Sequence, residues 1–251
     1  MSNLDFQRSK SLNLIPQQKL REKQLAIVAA CAECSKIGTN WNDENPADGL
    51  CDKCAIKYTA CNRYATSNIP IEYWSLRMDK DFRGFSGLMN KYEELTKDIH
   101  TTYREGKAIC FAGQHGTGKT FASCCILKKA ALANYQCLYT TLSDVVAILT
   151  QPDGEDKLVA RRELQMIDFL TIDEWDLRFF GSSTAAELYA RVLENIFRTR
   201  IANRLPTIMC SNSPNPVEAF TGALKESLGS LIEGYMTIFP VVGEDYRKIS
   251  R

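Results

Sequence analysis

Four groups of residues have the types and spacing to do chemistry, three of one kind and one of another. Gly113-Gln114-His115-Gly116-Thr117-Gly118-Lys119-Thr120 fits G-x-x-x-x-G-K-[ST] in full. In such a loop the glycines let the backbone fold so that several N–H groups converge on phosphate oxygens. A helix starting at Lys119 adds its positive end, Lys119 contacts the β- and γ-phosphates, and the Thr120 hydroxyl ligates magnesium. Downstream, Asp173 and Glu174 end the apolar run Phe169-Leu170-Thr171-Ile172. Asp173 is placed to hold the magnesium water shell, and Glu174 to polarise a water attacking the γ-phosphate. After the next apolar run, Ser211 and Asn212 stand where a polar side chain can orient that water and sense the γ-phosphate. A carboxylate base beside the metal acid favours hydrolysis over transfer to a small molecule.

The second chemistry is metal binding. Cys31-x2-Cys34 and Cys51-x2-Cys54, 16 residues apart, fit the C-x2-C-x15–20-C-x2-C zinc pattern. Two such pairs complete a tetrahedral site of four sulfurs that is closed to water and therefore structural. An iron–sulfur cluster uses the same ligands and stays open on spacing alone. The segment between the pairs is polar and turn-rich, with Asn42, Asp43, Asn45, Pro46, Asp48 and Gly49. It has too little apolar content for a core of its own, so the metal must supply folding energy. Cys61 is a spare that is either buried or a substitute ligand. Cys110, Cys124, Cys125, Cys137 and Cys210 fall in apolar patterns and are expected to be small buried hydrophobes.

These residues need a scaffold, and the pattern supplies one. Short apolar runs at 107–112, 136–141, 168–172, 206–210 and 237–242 read as strands. Helical stretches separate them near 119–133, 143–149, 157–166, 184–204 and 216–235. In the fourth, Leu188, Tyr189, Val192, Leu193, Ile196, Phe197 and Ile201 form an apolar stripe. Strands alternating with helices predict an α/β fold, a central parallel sheet with helices on both faces. Upstream, Leu88 to Tyr103 reads as one helix. Pro16 to Ala30 reads as another, with proline in its first turn. Asn68-Ile69-Pro70 divides the chain into residues 1–68, a small cysteine module, and residues 69–251.

Composition sets limits. Lys+Arg 31 against Asp+Glu 30 leaves a net charge of +1, so no global basic field points to nucleic acid, although a local face remains open. The 45% hydrophobic content is that of an ordinary globular chain. Met1 to Arg8 has no apolar core of a secretory signal, and the longest apolar run nearby, Ala26–Ala32, falls short of a membrane span. A reducing cytoplasm is therefore expected, where clustered cysteines bind metal rather than pair.

Residues 70–251 resemble the AAA+ ATPases of the DnaC/DnaI-type replicative helicase loaders of bacteria and phages, in the IstB-like group. The resemblance rests on the strand–loop–helix start, the apolar strand ending in Asp173-Glu174, the long helix leading into Leu205–Asn212, and the ending Gly243-Glu244-Asp245-Tyr246-Arg247. It implies a nucleotide switch that uses ATP, self-associates on a ring helicase and helps place that helicase on single-stranded DNA. Arg247 becomes a candidate nucleotide contact. A zinc module ahead of the ATPase resembles DnaI-type loaders in particular, where that region grips the helicase. The implied setting is the cytoplasm of a bacterium, infected by a phage or not.

The chain departs from this group in one place. Members carry an arginine after the Asn212 strand that completes a neighbour's site, and Gly229–Met236 holds none. Arg198, Arg200 and Arg204 are candidate substitutes, and slow hydrolysis is the expectation without one. A transposition ATPase of the IstB kind, and a zinc-anchored adaptor that binds ATP with little turnover, are the alternatives.

Overall fold

The computed structural model describes residues 12, 15–31, 50–150, 152, 154–175, 184–218 and 225–246. Five strands form one parallel sheet: β1 (Ala108–Ala112), β2 (Cys137–Thr141), β3 (Phe169–Trp175), β4 (Thr207–Ser211) and β5 (Thr237–Pro240). Their spatial order is β2-β3-β4-β1-β5. The inner strands β1, β3 and β4 are buried on both faces and read as largely apolar runs, while the edge strand β5 is only half-buried. On one face Cys110, Leu138, Leu170, Ile172 and Met209 meet α7 (Leu142–Thr150), α8 (Glu155–Met166), α9 (Thr184–Ala202) and α10 (Ser230–Tyr235). On the other, Ile109, Phe111, Tyr139, Phe169 and Ile208 meet α4 (Ser86–Thr96), α5 (Ile99–Glu105) and α6 (Lys119–Leu132). Full burial of a side chain such as Phe111 contributes about 2–3 kcal/mol. Among the described residues no helix is long and apolar enough to cross a membrane.

Two expected elements take a different form. The stretch 88–103 is two helices, because Asp98 caps the second: its carboxylate accepts from the N–H groups of His100 and Thr101. Aspartate at a helix start outcompetes continuation of the helix. The stretch 216–235 is turns at 212–218, then a π turn at Lys225–Gly229 leading into α10; residues 219–224 lie outside the described residues.

The N-terminal part is helical and attached. α1 (Gln17–Ala29) and α2 (Asp52–Thr66) pack side by side, and Gln24 donates to Asn62 at 2.6 Å. The second half of α2 joins the core through Cys61, Tyr64 and Ala65. Arg63 Nη1 donates to the carbonyls of Ala131 and Leu132, which places a cation on the C-terminal end of α6. The N–H of Tyr139 donates to Ser67 O at 2.8 Å, closing part of the open edge of β2. A short 3-10 turn (Ile71–Tyr73) and α3 (Met78–Asp81) then lead across α6 into α4.

Candidate functional site

Every downstream element predicted to carry chemistry ends on the same side of the sheet. The loop follows β1, Asp173 and Glu174 end β3, and Ser211 and Asn212 end β4. β1 lies between β4 and β5, although β2 follows it in the chain, so the loop sits where the strand order reverses. That crevice at the carboxyl ends of parallel strands is where open α/β sheets bind ligands.

The loop has the shape its glycines allow. Gly116 and Gly118 have φ of 75° and 91°, a region that side chains disfavour. A β-carbon on Gly118 would also meet the Phe82 ring at 2.5 Å. The loop is anchored by Gly113 N–H donating to Ser211 O and by the N–H of Tyr246 donating to Gly116 O. Lys119, at the start of α6, is buried, and its Nζ donates to Gly113 O at 2.9 Å and Gln114 O at 2.6 Å. Thr117 is buried and donates to Gln114 O. Gln114 and His115 are exposed at the rim.

Beside the loop is a cleft of about 730 Å³, which Lys119, Thr120, Asp173, Glu174 and Asn212 all line. The acidic end of β3 is shaped by an irregularity in its pairing with β4 between Ile172 and Trp175. Such a bulge re-aims side chains. Asp173 stays buried, while Glu174 adopts φ 52° and is exposed at the cleft. A glutamate in left-handed backbone stores strain of about 1–3 kcal/mol, which the fold sustains next to the loop. Asp173 accepts the Glu174 N–H on one oxygen and the Tyr139 hydroxyl on the other, both at 2.7 Å. Burial and the neighbouring Asp173 push the Tyr139 hydroxyl well above its ordinary pKa, so it stays a donor.

The cleft contains residues the sequence reading missed. Tyr73, Phe82 and Phe121 form one wall, with Phe121 centred 6.1 Å from Tyr73 and 5.8 Å from Phe82. A flat heteroaromatic ring fits such a wall by stacking. Tyr246 lines another side. Nothing periodic marks Tyr73 or Phe82; their value comes from folding back over α6.

The fit for a nucleotide with magnesium is good on these grounds: a glycine cradle, a buried ammonium, a helix start, a hydroxyl at Thr120 and a buried acid. Arg247 lies outside the described residues. Of the arginines considered as substitutes, Arg200 is corrected. It is fully buried at the opposite edge of the sheet and donates to Thr207 Oγ1 and to the carbonyls of Leu164, Ile167, Asp168 and Pro206. It is structural. Arg198 pairs with Glu194 on an exposed face, and Arg204, also exposed, follows the end of α9.

The cysteine group is separate. The sulfurs of Cys31, Cys51 and Cys54 lie within 4.8 Å of one another, and those of Cys31 and Cys51 are 3.7 Å apart. Zinc–sulfur bonds of about 2.3 Å give tetrahedral sulfur–sulfur edges of about 3.8 Å, so Cys31 and Cys51 have the spacing of two corners, with Cys54 within 4.8 Å of both. Cys34 lies outside the described residues. Cys51 caps α2 and Cys54 is in its first turn, so this pair is presented by a helix start rather than by an isolated knuckle. A helix N-terminus stabilises thiolates there. Cys61 is buried in the sheet core, and burial pushes its thiol pKa up, as it does for Cys110, to about 12, and for Cys124 and Cys210. Those thiols stay protonated.

The family model of the IstB-like ATP binding protein matches residues 75–215, more than half of the chain. The chain belongs to this family. The matched residues include the loop, Asp173, Glu174 and Asn212, and leave out the cysteine group and Tyr246. The IstB-like fold also occurs in solved structures of low identity. DnaI is similar with a TM-score of 0.55 and 16% identity over 70% of this chain and 93% of that one. The DnaC helicase loader gives 0.51 and 18% over 68% and 99%. The replication initiator DnaA, bound to AMPPCP and single-stranded DNA, gives 0.53 and 16%, with this chain spanning about half of it. A comparison with curated proteins gave no match.

Proposed function

We propose that the protein is an ATP-dependent loader that places a hexameric ring helicase on single-stranded DNA when replication starts. The observation that carries this reading is the attachment of a metal-ready cysteine group to the ATPase core. Cys51 and Cys54 start α2, and the far end of the same helix grips the end of α6, whose start carries Lys119. A partner held by the N-terminal module is thereby linked to the phosphate loop. Residues 1–68 form the partner-binding module, and residues 69–251 the ATPase domain.

The chain's own residues divide the work. Lys119 and the loop N–H groups bind the triphosphate, and the Tyr73–Phe82–Phe121 wall receives the base. Thr120 and Asp173 hold magnesium, which supplies charge neutralisation at the phosphates. Glu174 orients a water at the cleft mouth, and Asn212 fixes that water against the γ-phosphate. Cys31, Cys34, Cys51 and Cys54 hold zinc, which stabilises the fold of the module.

Hydrolysis by the isolated protein is slow, because α10 carries no arginine and Arg200 is committed to the core, which leaves only the exposed Arg198 and Arg204 of the substitutes considered. That observation favours a second reading, an adaptor that uses ATP mainly as a ligand. A transposition ATPase is the third, favoured by the family match.

One experiment separates them. The full chain is purified, its metal is counted, and it is used to capture partners from bacterial extract with and without ATP. The loader reading expects one zinc per chain and a ring helicase retained in an ATP-dependent way. Capture of a transposase instead, or retention indifferent to both ATP and a Glu174→Gln change, would replace it with the third or second reading.

A further inference from the structure

Tyr139 stands on β2, three strands from the phosphate loop's own strand β1 and one strand from Asp173. The register pairs Tyr139 with Thr171 and Thr141 with Asp173. Tyr139 and Asp173 therefore share a face and meet diagonally across the two strands, within reach of a long side chain. The tyrosine hydroxyl donates to Asp173 Oδ2 at 2.7 Å, and both side chains are buried. The other carboxylate oxygen accepts the Glu174 N–H at 2.7 Å.

The acid is thus held at both oxygens, one by the bulged backbone that follows it and one by a neighbouring strand. Phenylalanine would fill the same space on this apolar face, so packing alone does not call for the hydroxyl. The hydroxyl donates to the Asp173 carboxylate. A donor behind a metal-binding carboxylate fixes the carboxylate's orientation, and such outer partners matter to cation affinity nearly as much as the ligands do. Tyr139 is also tied at its backbone, because its N–H donates to Ser67 O in the turn that ends α2.

We infer that Tyr139 is a positioning residue: its hydroxyl sets the orientation of Asp173 toward the divalent cation of the bound nucleotide, and its backbone ties that orientation to the N-terminal segment. The inference rests on the nucleotide reading proposed above.

The test uses the full chain, a fluorescent ATP analogue, and manganese as the cation probe. Affinity for the analogue is measured in chelator and then across a manganese titration, for the wild type, Tyr139→Phe, Asp173→Asn and the double variant. Tyr139→Phe is expected to keep its chelator affinity within about twofold, which also shows that it folds. Its manganese affinity is expected to fall about 10-fold, the lower end for loss of an outer partner. The double variant is expected to match Asp173→Asn, because the hydroxyl acts only through that carboxylate.

Unchanged manganese affinity in Tyr139→Phe overturns the inference. So does a double variant that loses clearly more than Asp173→Asn alone, since that would be a general packing effect. A wild type that binds no analogue, or a Lys119→Ala chain that binds it as well as the wild type, overturns the nucleotide reading and the inference with it.

Discussion

Two buried cations sit at opposite edges of the same sheet, and they differ in what surrounds them. Lys119 lies at the carboxyl edge and lines a cleft of about 730 Å³, and its Nζ donates to the loop carbonyls of Gly113 and Gln114. Arg200 lies at the amino edge, where five acceptors from α8, β4 and their flanking turns take its donors. A guanidinium has five N–H donors, so Arg200 has none left to offer. Burial pulls its pKa down from the ordinary value, the expected direction for a cation away from water. The lesson is that a buried positive charge is read by the space next to it. With a cleft it is a binding group, and with every donor spent it is a tie between elements.

The largest expected effect breaks the structural cation. Arg200→Met keeps bulk but leaves several buried carbonyls with no donor, at about 1–3 kcal/mol each. The carbonyl of Pro206 keeps a second donor in Leu170 N–H, so the expected loss is on the order of 4 kcal/mol. That is a large share of the about 5–15 kcal/mol of a typical domain. Denaturant unfolding followed by circular dichroism measures it. A loss below about 1 kcal/mol would mean that the carbonyls find other donors, and the contrast with Lys119 would collapse.

Next is the functional cation. Lys119→Ala is expected to lower nucleotide affinity about 100-fold, roughly 2.7 kcal/mol, as truncating one side of a buried charge pair does. The unfolding midpoint should move little without nucleotide, because the acceptor at Gln114 belongs to an exposed residue that water can reach. Titration calorimetry and melting of the same variant give both numbers. Strong destabilisation with unchanged affinity would assign Lys119 to the class of Arg200.

The contrast also explains what could be read in the sequence. The eight-residue loop is local, and each of its residues acts where the chain puts it, so its position and its following helix α6 were both legible. The strands were legible because a sheet covered on both faces leaves apolar runs such as Ile109-Cys110-Phe111-Ala112. Arg200 was not. On an amphipathic helix a basic residue next to the apolar stripe looks the same whether it is solvated or turned inward, and only the carbonyls of Leu164, Ile167 and Pro206 decide. The wall of Tyr73, Phe82 and Phe121 was hidden for a related reason. Two of its members lie more than 30 residues before the loop and gain their role through tertiary folding. Tyr139 looked like one more strand residue, since a hydroxyl aimed at Asp173 has no signature in spacing.

The smallest expected effect sharpens the comparison within the Arg200 site itself. Thr207 begins β4, and its hydroxyl accepts from Arg200 Nε at 2.8 Å while donating to Leu205 O at 3.2 Å. Thr207→Val keeps the shape and removes one acceptor, leaving one charged donor unmet. An unsatisfied buried group costs about 1–3 kcal/mol, so about 2 kcal/mol is expected. Nucleotide affinity should stay within about twofold, because this site is at the edge of the sheet remote from the cleft. The variants are then combined. If Arg200 and Thr207 act through one bond, Arg200→Met with Thr207→Val loses less than the two single losses added together. If Lys119 belongs to a different system, Lys119→Ala with Thr207→Val shows simple additivity in stability. A strong coupling between Thr207 and Lys119 would instead mean that the two edges move together through β1 and β4, and that the amino edge takes part in binding.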